Sequence, residues 1–202
     1  MKLGQGLLLF GIVVIGVGAL FFGAYSAASA PLPEGFPPPT TDGDIEIKQY
    51  PEYRAATVQV TGNLANAPSR GFSPLFRHIS NNDISMTAPV ETRYPVATFQ
   101  DSPATNGTAA VSFLYRSLEI IPQEVAQDIH IEDIPPMTVV SLGIRGGYDF
   151  DNYIDGIQQL QAWLADHPDY RAAGLPRRFF YDGPYIPDPL KRSDIQIPVQ
   201  RQ

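Results

Sequence analysis

The 202-residue chain has no cysteine, which excludes disulfides, thiolate metal sites, iron–sulfur clusters, cysteine nucleophiles and thioether-linked cofactors. Charge is scarce. Asp, Glu, Lys and Arg make up 17% of residues, against roughly 25% in ordinary soluble domains. Positive charge is the minority, with 14 Lys and Arg against 21 Asp and Glu and a net charge of −7. That argues against nucleic acid as a general partner, because neutralising phosphates needs a basic face. Also missing are a phosphate-cradling glycine loop, an HExxH pair and a GxSxG elbow, so no catalytic motif announces itself. Aromatic residues are plentiful, at 11 Phe, 10 Tyr and one Trp, which excludes a wholly disordered acidic chain.

Between Leu3 and Ala30 there is no charged residue, and Leu7–Tyr25 is apolar or small throughout. Nineteen residues are more than a signal-peptide core of about 7–15 needs and close to the roughly 20 of a spanning helix. Ala28-Ser29-Ala30 is also a small-x-small cleavage pattern. Two outcomes are open: a retained anchor with the domain outside the cytoplasm, or a secreted or periplasmic protein cleaved after Ala30. In either case Lys2, the lone cation ahead of the segment, keeps the N-terminus inside. Residues 31–43 hold five prolines and read as a stiff linker, leaving a domain over residues 44–202.

That domain contains a duplication. Ile45-Glu46-Ile47-Lys48-Gln49-Tyr50-Pro51 recurs 84 positions later as Ile129-His130-Ile131-Glu132-Asp133-Ile134-Pro135, and the gap-free pairing extends to Gly62 and Gly146. Each copy reads as strand, turn at the proline, second strand (Ala55–Thr61; Thr138–Arg145), glycine and helix. Two strand–strand–helix units predict an α+β fold with the helices outside facing sheets or a barrel. The first helix is expected over Ser69–Ser80, with Phe72, Leu75, Phe76 and Ile79 on one face, and the second from about Asp149 to Ala165. Further strands are expected at Ile84–Thr92, Ala110–Arg116, Arg178–Tyr181 and Asp194–Val199, and Pro95–Gly107 reads as a loop.

From Glu52 to Asp83 every intervening charge is positive: Arg54, Arg70 and Arg77, with His78 titratable. A second cluster, Arg171, Arg177 and Arg178, precedes Phe179-Phe180-Tyr181. Phe72 and Phe76 with nearby guanidinium groups would suit a flat apolar ligand carrying carboxylates, such as a porphyrin with its propionates. The same spacing equally describes a core face with solvated arginines at its edge. His78, at the border of the stripe, could meet a bound iron or simply edge the core; His130 and His167 are expected to be exposed.

Several segments together resemble the SOUL/haem-binding protein family. They are Ile45–Ala56, Gly71–Ile79 running through Asn81-Asn82 into Ile84-Ser85-Met86-Thr87-Ala88-Pro89-Val90, Ile131–Pro135, and Phe179–Pro184 followed by Lys191–Ile195. The resemblance covers about Asp44–Val199 and is that of a bacterial-type member with an N-terminal membrane segment. It implies a distorted antiparallel β-barrel of two pseudo-repeats flanked by two helices, here preceded by an N-terminal hydrophobic helix. It also implies non-covalent binding of haem or metal-free porphyrin without established turnover, hence a tetrapyrrole carrier or buffer. In animal members the ligand is thought to lie on the first helix. The matching positions here are Phe76, where those members have methionine, and Arg77, where they have lysine, beside Phe72 and His78. Gln49 stands where some members have a histidine proposed as axial ligand, which leaves His78 as the candidate metal ligand. Two alternatives stay open: an enzyme acting on a tetrapyrrole, and a protein-interaction scaffold using the same helix groove.

Overall fold

In the computed structural model, which describes residues 30–95 and 103–202, the elements follow the duplicated order. The first repeat supplies strands β1 (Ile45–Tyr50) and β2 (Tyr53–Asn63), helix α1 (Ala67–Asn81), then β3 (Val90–Arg93) and β4 (Asn106–Leu114). The second supplies β5 (His130–Ile134), β6 (Met137–Arg145), helix α2 (Phe150–Asp166), the short β7 (Tyr170–Ala172), β8 (Arg177–Phe180) and β9 (Arg192–Arg201). The expected spanning segment Leu7–Tyr25 and the middle of the Pro95–Gly107 loop lie outside the described residues. Among the described residues no helix is long and apolar enough to cross a membrane.

The duplication is visible in three dimensions. The strand order is β1-β6-β9-β8-β3-β4-β2-β5, with β7 added to β9, and every pairing is antiparallel. Exchanging the repeats maps this order onto its own reverse: the opening strand of each pairs with the second strand of the other, and β3 meets β8 in the middle. Gly62 and Gly146, the glycines matched in the sequence, both take positive φ, +126° and +137°, where a side chain would be strained. A second pair of glycines lets each helix approach its sheet. A Cβ on Gly71 would meet Val111 at 2.6 Å, and one on Gly156 would meet Ile195 at 2.3 Å, with Val111 and Ile195 again 84 residues apart.

The sheet does not close into the expected barrel. Among the described residues β1 and β5 stand at opposite ends of the strand order, each with one partner, because the exchange between repeats sends both opening strands to the outside. The strand expected from Ile84 begins only at Val90: Pro89 has no N–H to give a ladder, while Ala88 N–H donates to Pro31 and the Thr87 hydroxyl to Leu114.

Alternation divides the sheet into two unlike faces. Val58, Val111, Ile195 and Leu142 point to the helices and join Leu75, Ile79, Ile157 and Leu160 in one continuous apolar core. Each such side chain contributes about 1.5–3 kcal/mol by burial. The opposite face carries Thr57, Ser112, Glu91, Arg177, Gln196, Ser141, Asp194 and Lys48, all buried. Residues 31–43, expected as a linker, run across this face. Phe36 sets its ring edge-on against Tyr50 and Tyr53, 4.9 and 5.1 Å between centroids, and Thr40 N–H donates to Asp194 at 3.1 Å. Lys48 Nζ donates to the Pro38 carbonyl at 2.7 Å and pairs with Asp194 at 3.3 Å.

Candidate functional site

Helix α1 starts with Pro68 in its first turn, a position whose N–H would be unpaired in any case. It buries Gly71, Leu75, His78 and Ile79 against β2 and β4. Its two phenylalanines do not follow them inward. Phe72 and Phe76 are 39% and 50% exposed and stacked at 5.8 Å, with Phe72 also edge-on to Phe113 at 5.1 Å. They form an aromatic ridge along one flank of the helix.

The residues expected beside that ridge divide around the helix axis. Arg77 is exposed, about 100° from Phe76, and has no hydrogen bond or ion pair among the described residues. His78 lies on the other flank and is 4% exposed. Its Nε2 shares a 2.7 Å hydrogen bond with the Tyr115 hydroxyl, its Nδ1 faces the Asn82 amide at 3.4 Å, and its ring stacks on Tyr115. Burial lowers the His78 pKa and raises that of Tyr115 to about 12, so at neutral pH the pair holds one neutral imidazole and one neutral phenol. A small cleft of about 170 Å³ opens on this flank, between Pro74, Arg77, His78, Asn82 and Val125.

The other arginines of the basic island are committed elsewhere. Arg54 makes a forked pair with Asp133, 2.7 and 2.8 Å, and Arg70 donates to the Thr61 carbonyl. His130 and His167 are exposed, as expected; His167 stacks on Trp163. Gln49 is exposed on β1. Among the described residues no group of three or more His, Asp and Glu is placed to hold a metal ion.

A family model described as "SOUL heme-binding protein" matches residues 38–198, about four-fifths of the chain. The chain belongs to the SOUL haem-binding protein family. Among solved structures, this SOUL chain is similar to the C-terminal domain of EcmrR, with TM-score 0.63 and 18% identity over 79% of this chain and 98% of that one. It is also similar to EcmrR in a transcription-complex structure with DNA, with TM-score 0.64 and 17% identity over 79% of this chain. There it spans only 58% of the other chain's length. An uncharacterised conserved protein from Listeria innocua matches with TM-score 0.60 and 11% identity, over 79% of this chain and 93% of that one. At these identities the likeness is one of fold. Among curated proteins none matches.

As for haem, the side chains fit one part of the group and not another. The SOUL chain offers an exposed aromatic ridge for the ring and a free guanidinium at Arg77 for a propionate. Beside that ridge it offers no free imidazole to iron, since both His78 nitrogens already face partners.

Sequence reasoning missed a second region, on the face away from the helices. A cleft of about 410 Å³ lies between the start of β2, the β5–β6 turn, β3 and the approach to β8, with Tyr53, Glu91, Arg93, Met137, Leu175 and Arg177 among its lining. Arg177 and Arg178, expected as one cluster, alternate to opposite faces of β8, and both are 1% exposed. Arg178 turns to the helix side and donates to the Asp149 carbonyl at 2.8 Å. Arg177 turns to the cleft side, where it donates to Tyr53 at 2.8 Å, Glu91 at 3.1 Å and Gln196 at 2.9 Å, its guanidinium lying over the Phe179 ring at 4.4 Å. Burial opposes its charge, but Tyr53, Glu91 and Tyr50 together hold its pKa above the ordinary arginine value. The available signal was the strand Val90-Glu91-Thr92-Arg93, whose charges at alternate positions must share one face.

Proposed function

We propose that this SOUL chain binds haem or a related porphyrin non-covalently at the Phe72–Phe76 ridge and serves as a tetrapyrrole carrier or buffer. The exposed stacked pair carries the reading, because two aromatic rings held in water beside a complete core cost apolar exposure that a ligand's face would remove. The macrocycle packs against Phe72 and Phe76, and Arg77 reaches over the exposed side of the helix to a propionate. Affinity comes from burial and this pairing, with no bond from His78 to iron, so metal-free porphyrin carrying propionates binds comparably. The charge-free Leu3–Ala30 segment supports a site outside the cytoplasm, held at the membrane through residues 7–25 or released after Ala30.

Absorbance titration of the full-length protein with haem is the direct test. A saturable Soret shift at micromolar protein is expected, and its absence at tens of micromolar overturns the reading. Arg77→Ala weakens haem binding by about tenfold, the worth of roughly 1.4 kcal/mol. Binding of a porphyrin without carboxylates stays unchanged; equal losses would remove the propionate pairing.

A further inference from the structure

We propose that the cleft on the face away from the helices is a second ligand site, for a small molecule with a compact apolar body and a single carboxylate. This is independent of the porphyrin reading, since cleft and ridge lie on opposite faces of the sheet. At about 410 Å³ the cleft falls within the roughly 300–1,000 Å³ range of small-molecule sites.

The ligand class follows from what the cleft has left over. Two of its guanidinium groups have buried N–H groups without an acceptor among the described residues: Nη2 of Arg177 and Nε of Arg93. Buried donors are almost always paired, and an arginine nitrogen cannot shed its charge to escape the cost. Arg177, itself 1% exposed, lines the cleft together with Arg93. Meanwhile the carboxylates nearby are occupied. Glu91, wholly buried, accepts from Arg177 and from the Tyr53 hydroxyl at 3.2 Å, and Glu132 pairs with Arg93 and accepts from Thr57. An incoming cation would find Glu91 already engaged; an incoming carboxylate brings two acceptor oxygens to the donors that lack them.

Arg93, Arg177, Glu91 and Glu132 sum to zero charge, which admits one added negative charge more readily than two. Most of the remaining wall, including Ile134, Pro135, Met137, Leu175 and Val199, is apolar and suits a hydrocarbon body in place of a sugar or phosphate. The site is thus built for a monocarboxylic acid rather than a phosphate ester or an ammonium compound.

The chain has three methionines, Met1, Met86 and Met137, and of these Met137 lines the cleft. Labelling the methionine methyl groups with carbon-13 in the full-length protein therefore places a reporter in the site. Titration with 3-phenylpropionate should move the Met137 signal saturably and leave Met86 in place. It should bind at least tenfold more tightly than 3-phenylpropanol, and 3-phenylpropylamine should not compete. Arg93→Gln should reduce the preference for the acid over the alcohol. Leu175→Trp, which fills the mouth, should abolish the Met137 response while leaving the haem titration unchanged. Equal binding of acid and alcohol would make the cleft merely greasy, tighter binding of the amine would make Glu91 the anchor, and an unmoved Met137 with all three would leave no site. Each of these results overturns the proposal, and none bears on the ridge.

Discussion

The two repeats form the same scaffold and load it differently. Register sets Ser112 against Thr57 in one and Gln196 against Ser141 in the other, and Glu91 beside Ser112 corresponds to Arg177 beside Gln196. At that corresponding position the repeats carry opposite charges, and the two side chains meet across the β3–β8 seam at 3.1 Å. The helices differ in the same way. With Gly71 matched to Gly156, Leu75 and Leu160 are both fully buried, but Phe72 matches the buried Ile157 and Phe76 matches Gln161. The second helix completes its core without an exposed aromatic ridge. The ridge on α1 is therefore no requirement of the fold.

The largest effect is expected where the copies meet. Arg177→Met leaves Glu91 buried and unpaired and should lower unfolding free energy by about 3–5 kcal/mol, measured by urea titration. Adding Glu91→Leu to it should recover most of that loss; if the double variant is no better than the single, the charges are not acting as a pair.

A smaller effect should come from making the helices alike. Phe76→Gln gives α1 the side chain that α2 has, and stability should fall by no more than about 1.5 kcal/mol, since Phe76 is half exposed. Haem affinity should fall about tenfold or more, read from the Soret titration, because the ring loses one of its two aromatic supports. Should stability fall by several kcal/mol instead, Phe76 belongs to the core and the ridge loses its meaning.

The smallest effect is a dependence on acidity confined to the first repeat, where His78 corresponds to Trp163 of the second. Burial lowers the His78 pKa in the folded chain, so below the unfolded value of about 6.5 the unfolded state binds more protons. His78 thus contributes stability that is present above that value and is lost as pH falls through its lowered folded pKa. Urea midpoints for wild type should decline across this window more steeply than those of His78→Gln, in which the titration is gone. Parallel declines would show that other groups carry the dependence.

Much of the scaffold was legible because period and turn chemistry act locally. The duplicated Ile-x-Ile alternation, the prolines at 51 and 135 and the glycines at 62 and 146 marked two strand–strand–helix units, and both helices fall within two residues of their expected bounds at each end. Of the candidate site, the helix and its two phenylalanines were legible, but not their exposure, since a period places a residue on a stripe without saying how wide the buried part is. Arg177 and Arg178 were read as one cluster because two adjacent arginines look alike in any strand; only the start of α2 on one side and residues 31–43 on the other make both faces of β8 interior.

The sequence by itself determined the duplication, the α+β class, the absence of thiol chemistry and the family, since each depends on residue identity and short-range order. Tertiary structure alone decided that the sheet stays open, that His78 turns to Tyr115, and that Glu91 and Arg177 meet while two arginine N–H groups have no acceptor among the described residues. The physical reason is that hydrogen-bond partners and burial are set by chains far apart in sequence, so neighbours that no local pattern encodes determine which groups are satisfied and which remain free to bind.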